Sequence, residues 1–321
     1  YPAVQDLTSV TIPYGVTSIG DSVFNGGRQL TDITIPNGVI NIGESAFAGC
    51  SSLINITIPN SITTIESRTF EDCSGLINIT IPDSVVNIGE SAFSGCSSLT
   101  NITLPNGVNT IGEWAFCNCK NLTSITIPDN VTTIESCIFW GCSSLINVTI
   151  HDNIVNIGYS AFSGCSGLTS VIIGSSITTI DDRAFSGCSN LTDVYISDLL
   201  TWFKINFIDW SANPLYYAKN LYLNNELVTE LVIPSCVSEI KSYAFKNYNN
   251  LTGIKISDNV KTIGEEAFCN CNNLTNVTIP DSVVTIGACA FSDCSNLISL
   301  VIGDCVNIIG VKAFWNCSKL T

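Results

Sequence analysis

The chain has 321 residues, of which 45% are hydrophobic and only 12% are charged, and its formal net charge is −15. Such an acidic chain argues against binding to nucleic acids or anionic lipids, because phosphates are bound by clustered Lys and Arg. No run of about 18 apolar residues occurs, so we predict no membrane-spanning segment.

A phenylalanine returns every 23 residues along most of the chain. The positions are Phe24, Phe47, Phe70, Phe93, Phe116, Phe139, Phe162 and Phe185 and, after one interruption, Phe245, Phe268, Phe291 and Phe314. A fixed period of this length is typical of a solenoid, in which each repeat buries its apolar face only against its neighbours. We therefore predict one elongated stack of coils rather than several globular domains.

The first part of each repeat has the pattern of a half-buried β-strand. In the segment Leu30–Pro36, Ile33 and Ile35 alternate with Asp32 and Thr34, which is the period of two expected for a strand with one buried face. The proline that ends the segment has no N–H group and therefore stops the strand.

The second part of the repeat predicts a turn, two further inward-facing residues and a helical segment. Asn37–Gly38 is a turn pair, after which Val39 and Ile42 return to the core. We expect Ala46–Phe47 to lie in a short helical turn, and Cys50 closes the repeat. The predicted fold class is thus an α/β repeat solenoid.

The repeat is interrupted once, between Phe185 and Phe245. Ser197–Asp198 predicts the N-cap of a helix, and Asn224–Asn225 predicts a turn before the next regular strand. The predicted segments are repeats at 1–196, an aromatic-rich helical insertion at 197–227 and further repeats at 228–321.

The insertion is rich in aromatic side chains, including Trp202, Trp210, Tyr216 and Tyr217. In one interpretation these aromatic residues fill the break in the core. In the other they form a recognition patch, because Tyr and Trp dominate the energetics of protein interfaces. Both interpretations stay open from the sequence.

The repeat unit L-T-x-I-T-I-P-x-x-V-x-x-I-G-x-x-A-F-x-x-C resembles that of the BspA-like leucine-rich-repeat family. The resemblance covers nearly the whole chain and includes Asn213–Ala218 through Leu227–Pro234, which is similar to a recurrent insert of that family. It implies a right-handed superhelix with a parallel β-sheet and short helical turns on the opposite side. It also implies a secreted or surface-displayed protein of a bacterium or protist. Several members are adhesins that bind proteins and have no catalytic residues.

Ten of the 16 cysteines follow the repeated phenylalanine by three residues. They are Cys50, Cys73, Cys96, Cys119, Cys142, Cys165, Cys188, Cys271, Cys294 and Cys317. We interpret this column as buried free thiols that act as small hydrophobic groups with weak donors. A metal ladder would need further Cys or His ligands, and the only histidine is His151. We predict no metal and no cofactor, and Cys236 and Cys305 have no predicted partner.

Four other cysteines form two pairs with the same spacing between adjacent coils. Cys117 and Cys269 follow a repeated phenylalanine by one residue, whereas Cys137 and Cys289 precede the next phenylalanine by two. Adjacent coils bring such Cα atoms within the distance that a disulfide requires. We therefore predict the disulfides Cys117–Cys137 and Cys269–Cys289, which would place the protein in an oxidising compartment.

The outward-facing strand positions begin as an unbroken column of threonines. The column is Thr11, Thr34, Thr57, Thr80, Thr103, Thr126 and Thr149, and it continues as Ile172, Tyr195, Val232, Lys255, Thr278 and Val301. The strand propensity of threonine and its cross-strand pairing are sufficient to explain the first part. The alternative is a polar face for a partner. Because the later coils vary more, we expect a binding surface near Tyr195, Val232 and Lys255.

Eleven N-x-[ST] sequons are candidate glycosylation sites in a eukaryotic secretory pathway. They are Asn55, Asn78, Asn101, Asn121, Asn130, Asn147, Asn190, Asn250, Asn273, Asn276 and Asn316. The repeat sequences N-I-T and N-L-T produce the same motif whether or not a glycan is attached. Glycosylation and simple repetition therefore both stay open.

The sequence offers no arrangement typical of an enzyme. The one histidine, His151, stands at a turn position, which argues against the common catalytic triads. Asp32, Asp193 and Glu230 are too scattered for the carboxylate pair of a glycosidase. We therefore predict a non-enzymatic binding module of the adhesin type, extracellular or at the cell surface. Its partner would be a protein or glycan on host matrix or neighbouring cells.

Two alternative functions use other features of the chain. Neither Tyr1 nor Leu320–Thr321 belongs to a polar end cap, which indicates a section of a longer array. Uncapped ends can stack on other copies of the chain and form an extracellular filament. A weaker alternative is binding to ice or to a crystal surface through the threonine column.

Overall fold

The structure is a computed structural model that describes residues 2–320. The chain forms two compact units. The first unit runs to Thr169 and includes Phe185–Asn190, and the second comprises Ser170–Ala184 and continues from Leu191. Tyr1 and Thr321, the terminal residues that were predicted to be uncapped, lie outside the described residues.

Most regular coils of the first unit contribute a longer strand and a strand of two residues. The longer strands are Ser9–Thr11, Asp32–Thr34, Asn55–Thr57, Asn78–Thr80 and Asn147–Ile150, with an isolated bridge between Asn101 and Ser124. The two-residue strands are Ser18–Ile19, Asn41–Ile42, Thr64–Ile65, Asn87–Ile88, Thr110–Ile111, Thr133–Ile134 and Asn156–Ile157. A four-residue α-helix, Pro2–Gln5, precedes the first strand.

Neighbouring coils of the first unit pair in parallel, one repeat apart. Ser9 lies opposite Asp32, and Ile56 lies opposite Ile79. This register places identical positions beside each other, so isoleucine stacks on isoleucine inside and threonine on threonine outside. The parallel-strand solenoid that was predicted from the repeat is confirmed.

The segment around each repeated phenylalanine consists of turns, so the prediction of short helical turns is wrong. Two residues that flank Phe47 have left-handed backbone, Ser45 with φ 55° and Gly49 with φ 71°. Left-handed residues cannot continue a right-handed helix. The N–H groups of Ser45 and Gly49 instead donate to carbonyl oxygens of the next coil at 3.0 and 2.7 Å. Hydrogen bonds between coils thus replace the internal hydrogen bonds of a helix.

Stacked phenylalanines and a cysteine ladder fill the core of the first unit. From Phe24 to Phe185, adjacent ring centroids lie 5.4–5.8 Å apart with ring planes within 18°. Each ladder cysteine donates its S–H to the carbonyl oxygen of a phenylalanine in the preceding coil, as Cys96 does to Phe70 at 3.2 Å. Burial raises the pKa of the Cys50 thiol to about 11. The prediction of buried free thiols in this column is confirmed.

The second unit continues the same two kinds of strand. The longer strands are Ser170–Ile173, Asp193–Ile196, Asn220–Leu223, Glu230–Val232, Gly253–Lys255, Asn276–Ile279 and Ser299–Ile302. The two-residue strands are Thr179–Ile180, Asn206–Phe207, Glu239–Ile240, Thr262–Ile263, Thr285–Ile286 and Ile308–Ile309, and Glu226–Leu227 forms a hairpin with Asn220–Leu223.

Two short helices lie in the interruption. The α-helix Leu199–Lys204 begins at Asp198, whose carboxylate accepts the N–H of Leu200 at 2.9 Å, so the predicted N-cap is confirmed. The 3-10 helix Pro214–Tyr216 follows. No helix within residues 2–320 is long and apolar enough to cross a lipid bilayer.

The interruption also forms a longer, irregular coil of the solenoid. Thr179 lies opposite Asn206 and Asp193 lies opposite Asn220, so both of its parallel pairings join residues 27 positions apart. The predicted insertion at 197–227 is therefore helical only in part and adds strands to both kinds of sheet. The turn predicted at Asn224–Asn225 joins the hairpin, and both residues have left-handed backbone.

A tyrosine occupies the position of the ladder cysteine where the irregular coil ends. Tyr248 follows Phe245 by three residues, at the position of the ladder cysteine, and it is fully buried. Its hydroxyl donates to the carbonyl oxygen of Val228 and accepts the N–H of Leu221 at 3.4 Å. The longer side chain thus satisfies backbone groups in a coil that departs from the regular path.

Candidate functional site

The structure holds all 16 cysteines as free thiols, so the two predicted disulfides are not formed in it. Burial raises the pKa of the Cys137 thiol to about 11, and the neighbouring Cys117 thiol contributes to that rise. In the second unit, burial raises the pKa of Cys269, and Cys289 adds to that rise. Both disulfides stay predictions for the oxidised protein.

Another pair of side chains at the same two repeat positions is in contact in the second unit. Lys246 follows Phe245 by one residue, and Glu266 precedes Phe268 by two, as in the cysteine pairs. The Lys246 ammonium group forms an ion pair with the Glu266 carboxylate. Side chains at these two positions therefore meet across adjacent coils, which supports the predicted pairing of the thiols.

A row of large side chains crosses four strands on the outer face of the second unit. Ile172 lies opposite Tyr195, Tyr195 opposite Tyr222, and Tyr222 opposite Leu227. The two tyrosine rings stack with centroids 4.9 Å apart, and Ile172 is 46% exposed. We call these four residues the aromatic row. Ile172, Tyr195 and Tyr222 occupy the outward position that holds exposed threonines in the first unit, whereas Leu227 lies on the hairpin strand.

A cleft of about 440 Å³ lies beside the aromatic row. Ile172, Tyr195 and Ile196 give it an apolar lining, and the Asn224–Asn225 turn and Ser197 add polar groups. Such a combination of apolar surface with a few polar groups is typical of binding sites. The sequence interpretation identified Tyr195 but did not single out the stacking partner Tyr222 as a site residue.

The other predicted binding residues occupy separate places. Val232, which is 60% exposed, lies opposite the exposed Lys255 on neighbouring strands of the second unit. Trp202 is fully buried and donates its indole N–H to the Ala244 carbonyl oxygen at 2.9 Å. The prediction of Trp202 as a binding residue is therefore wrong, because it fills the core of the irregular coil.

Three of the predicted aromatic residues form a cluster nearer to the surface. The ring centroids of Trp210 and Tyr216 lie 4.6 Å apart, and Tyr216 meets Tyr217 edge to face at 5.0 Å. Trp210 is 42% exposed, and both tyrosines are half-buried. The aromatic residues of the irregular coil thus divide between the core and a surface cluster.

The sequon asparagines are exposed, with one exception. Asn250 is half-buried, and its amide nitrogen donates to the Lys219 carbonyl oxygen and to Asn220 Oδ1, each at 2.9 Å. A glycan on Asn250 would have to displace both hydrogen bonds. Glycosylation at the other ten positions stays a prediction.

The His151 ring contacts backbone groups of its own coil and of the preceding coil. Its Nε2 lies 3.1 Å from the Pro128 carbonyl oxygen, and its Nδ1 accepts the N–H of Asn153 at 3.3 Å. Across the part of the chain that the structure describes, no group of three or more His, Cys, Asp or Glu residues could hold a metal ion.

Most coils of the chain repeat a stacked phenylalanine, a ladder cysteine and paired strands. The model of the BspA type leucine rich repeat region matches the chain in six copies, over residues 3–122, 86–212 and 217–321. The chain belongs to the BspA-type leucine-rich-repeat family. The resemblance found in the sequence is confirmed.

Two solved bacterial structures are similar to this BspA-type protein. A leucine-rich repeat protein from Bacteroides ovatus is 30% identical, with 98% of this chain and 85% of that chain covered and a TM-score of 0.70. A leucine rich cell surface protein from Faecalibacterium prausnitzii is 27% identical, with 98% and 86% covered and a TM-score of 0.51. No curated protein sequence matches the chain. Leucine-rich-repeat proteins are generally non-enzymatic scaffolds that bind other proteins on extended surfaces.

Proposed function

We propose that this BspA-type protein is an extracellular or cell-surface module of the adhesin type that binds a protein through the aromatic row of its second unit. The aromatic row carries this proposal. Stacked tyrosines are rigid and partly apolar, and tyrosine is enriched among the residues that dominate interface energies. The threonine column of the first unit has no aromatic side chain, and the clefts of about 220 and 270 Å³ that adjoin it are smaller than the one beside the aromatic row.

The chemistry of the site favours a partner with an apolar side chain within a basic surface. The cleft beside Tyr195 accepts an apolar group against Ile172 and Ile196. Glu226 and Glu230 are exposed close to the row along the chain, and the whole chain carries a net charge of −15. Long-range attraction of a basic partner raises its association rate, and salt screens this effect.

The location outside the cell rests on two supports. One similar structure belongs to a leucine rich cell surface protein. The two cysteine pairs also stand at positions where side chains meet across coils, which suits a protein of an oxidising compartment. The family match supports an interaction module and gives the filament alternative no support.

Binding to immobilised extracellular-matrix proteins with basic surfaces tests the proposed function. We expect the double variant Tyr195→Ala/Tyr222→Ala to bind at least about tenfold more weakly than the unchanged chain, because interface tyrosines are frequent hot spots. The matched control is Thr126→Ala/Thr149→Ala, which alters the same outward column in the first unit and should leave the affinity within about twofold. Equal weakening by both double variants would contradict the proposal.

A further inference from the structure

A second cavity, of about 380 Å³, lies in the second unit beside the surface aromatic cluster. Tyr216 and Tyr217 line it together with the asparagines Asn247, Asn249, Asn250 and Asn270. We propose that this cavity, called the asparagine cavity below, binds a neutral saccharide. The site is separate from the aromatic row and does not rest on the function proposed for that row.

The backbone conformation of the turn does not explain why the second unit has asparagines where the first unit mostly has glycines. The position two residues after the repeated phenylalanine is left-handed in every regular coil. In the first unit it is Gly26, Gly49, Asp72, Gly95, Asn118, Gly141, Gly164 and Gly187, and in the second it is Asn247, Asn270, Asp293 and Asn316. Glycine adopts this conformation most easily, and Asn and Asp tolerate it. The consistent use of side chains in the second unit therefore adds polar groups that the turn does not need.

Hydrogen bonds hold the amides of the cavity in place. Asn270 donates to Asn247 Oδ1 at 2.9 Å and accepts from the side chain of Asn272 at 2.7 Å. The backbone N–H of Asn272 donates to Asn249 Oδ1 at 3.0 Å. The amide nitrogens of Asn247 and Asn249 have no hydrogen-bond partner within residues 2–320, so they remain donors for a ligand.

The aromatic wall is also held before any ligand binds. Trp210 packs on Tyr216 at 4.6 Å, and the Lys246 ammonium group lies 5.9 Å from the centre of the Tyr216 ring. The ion pair with Glu266 fixes Lys246 in turn. A wall that is already ordered reduces the entropy cost of binding.

The lining selects the class of ligand. No carboxylate lines the cavity, and Lys219 is its only charged lining residue, so phosphate or sulfate would lack the clustered cations that they require. A sugar ring presents a C–H face that packs on an aromatic ring, and vicinal hydroxyl groups that both donate to and accept from amides. The volume lies within the range of small-ligand pockets and suits a mono- or disaccharide.

Saturation-transfer NMR of the full chain with neutral hexoses and N-acetylhexosamines tests this proposal. We expect saturation to reach one C–H face of at least one sugar. The double variant Asn247→Gly/Asn270→Gly restores the residue that most first-unit coils use, so it should fold normally and bind at least about tenfold more weakly. The matched control, Asn118→Gly, changes the same turn position in the first unit and should bind as the unchanged chain does.

A second variant keeps the test decisive if the double variant unfolds. Tyr217→Leu retains an apolar side chain but removes the ring, and it should also weaken sugar binding by about tenfold. The proposal would be overturned if no neutral sugar receives saturation. It would also be overturned if saturation persists at full strength in the folded Asn247→Gly/Asn270→Gly variant or in Tyr217→Leu.

Discussion

The two compact units share one repeat but expose different side chains. In the first unit, outward strand positions hold threonine from Thr11 to Thr149, and most left-handed turn positions hold glycine. In the second unit, the outward positions begin with Ile172, Tyr195 and Tyr222 and continue as Val232, Lys255, Thr278 and Val301. The left-handed turn positions of this unit hold three asparagines and one aspartate. Because stacking fixes the inward positions in both units, the outward positions are free to differ. We infer that the first unit mainly supports the stack and that the second carries the binding surfaces.

The largest expected effect is on stability and arises from the core of the first unit. Phe93 is fully buried and stacks on Phe70 and Phe116 at 5.5 and 5.4 Å. Phe93→Ala should lower the free energy of unfolding by about 4 kcal/mol, measured by urea denaturation. Tyr195→Ala, on the exposed face of the second unit, should cost less than about 1 kcal/mol. A loss for Tyr195→Ala as large as that for Phe93→Ala would break the distinction between core and display positions.

The two units should respond alike to oxidation, because each contains one pair of predicted disulfide partners. Closing the Cys117–Cys137 loop should raise the free energy of unfolding by about 3 kcal/mol in the chain-entropy model. The measurement is urea denaturation with and without reductant. The control variant Cys117→Ser/Cys137→Ser should not show the part of the reductant-dependent change in unfolding free energy that this pair contributes. Non-reducing peptide mapping of the oxidised protein that finds all four thiols free would contradict the prediction.

The irregular coil depends on one hydroxyl group that has no counterpart in the first unit. Tyr248→Phe would leave the buried carbonyl of Val228 and the N–H of Leu221 without their partner. We expect a loss of about 2 kcal/mol in the free energy of unfolding, because a buried polar group that loses its partner remains desolvated. A loss below about 0.5 kcal/mol would show that water or a shift of the coil replaces the hydroxyl. Tyr14→Phe, at a largely exposed tyrosine, is the matched control.

The sequence determines the regular coils well because the same signal returns in each of them. A period of two within the strand and a period of 23 between coils place Ile33 and Ile56 in one buried column. The turn conformation was harder to predict. Glycines such as Gly49 indicate left-handed backbone, but Ser45 carries no such signal and is held by hydrogen bonds to the next coil.

The irregular coil could be predicted only in part. The capping side chain of Asp198 indicated its helix, since that contact is local. Trp202 and Trp210 look alike in sequence, yet one is buried and the other is 42% exposed. The difference depends on the path of the chain between them, which follows from strand pairing over 27 residues. The asparagine cavity had one usable signal, the change from glycine to asparagine at a fixed turn position.

The smallest expected effect, counted per pH unit, is the pH response of a single ladder thiol. Burial raises the pKa of Cys188 from its ordinary value of 9.0 to about 12. Above pH 9 the unfolded chain therefore loses this proton while the folded chain keeps it, so stability falls as the pH rises toward 12. Cys188→Ala should reduce that fall by at most about 1.4 kcal/mol per pH unit, measured by urea denaturation with reductant. Ser189→Ala, which removes no titrating group, should leave the slope unchanged.

Hydrogen–deuterium exchange tests the division between a supporting and a binding unit most directly. Exchange is measured on the chain alone and with the matrix protein that it binds most tightly. We predict slower exchange on binding in Ser170–Ile173, Asp193–Ile196 and Asn220–Leu223, and unchanged exchange in the first-unit strands. Slower exchange centred on strands such as Asn55–Thr57 and Asn78–Thr80, with none at the aromatic row, would contradict the account.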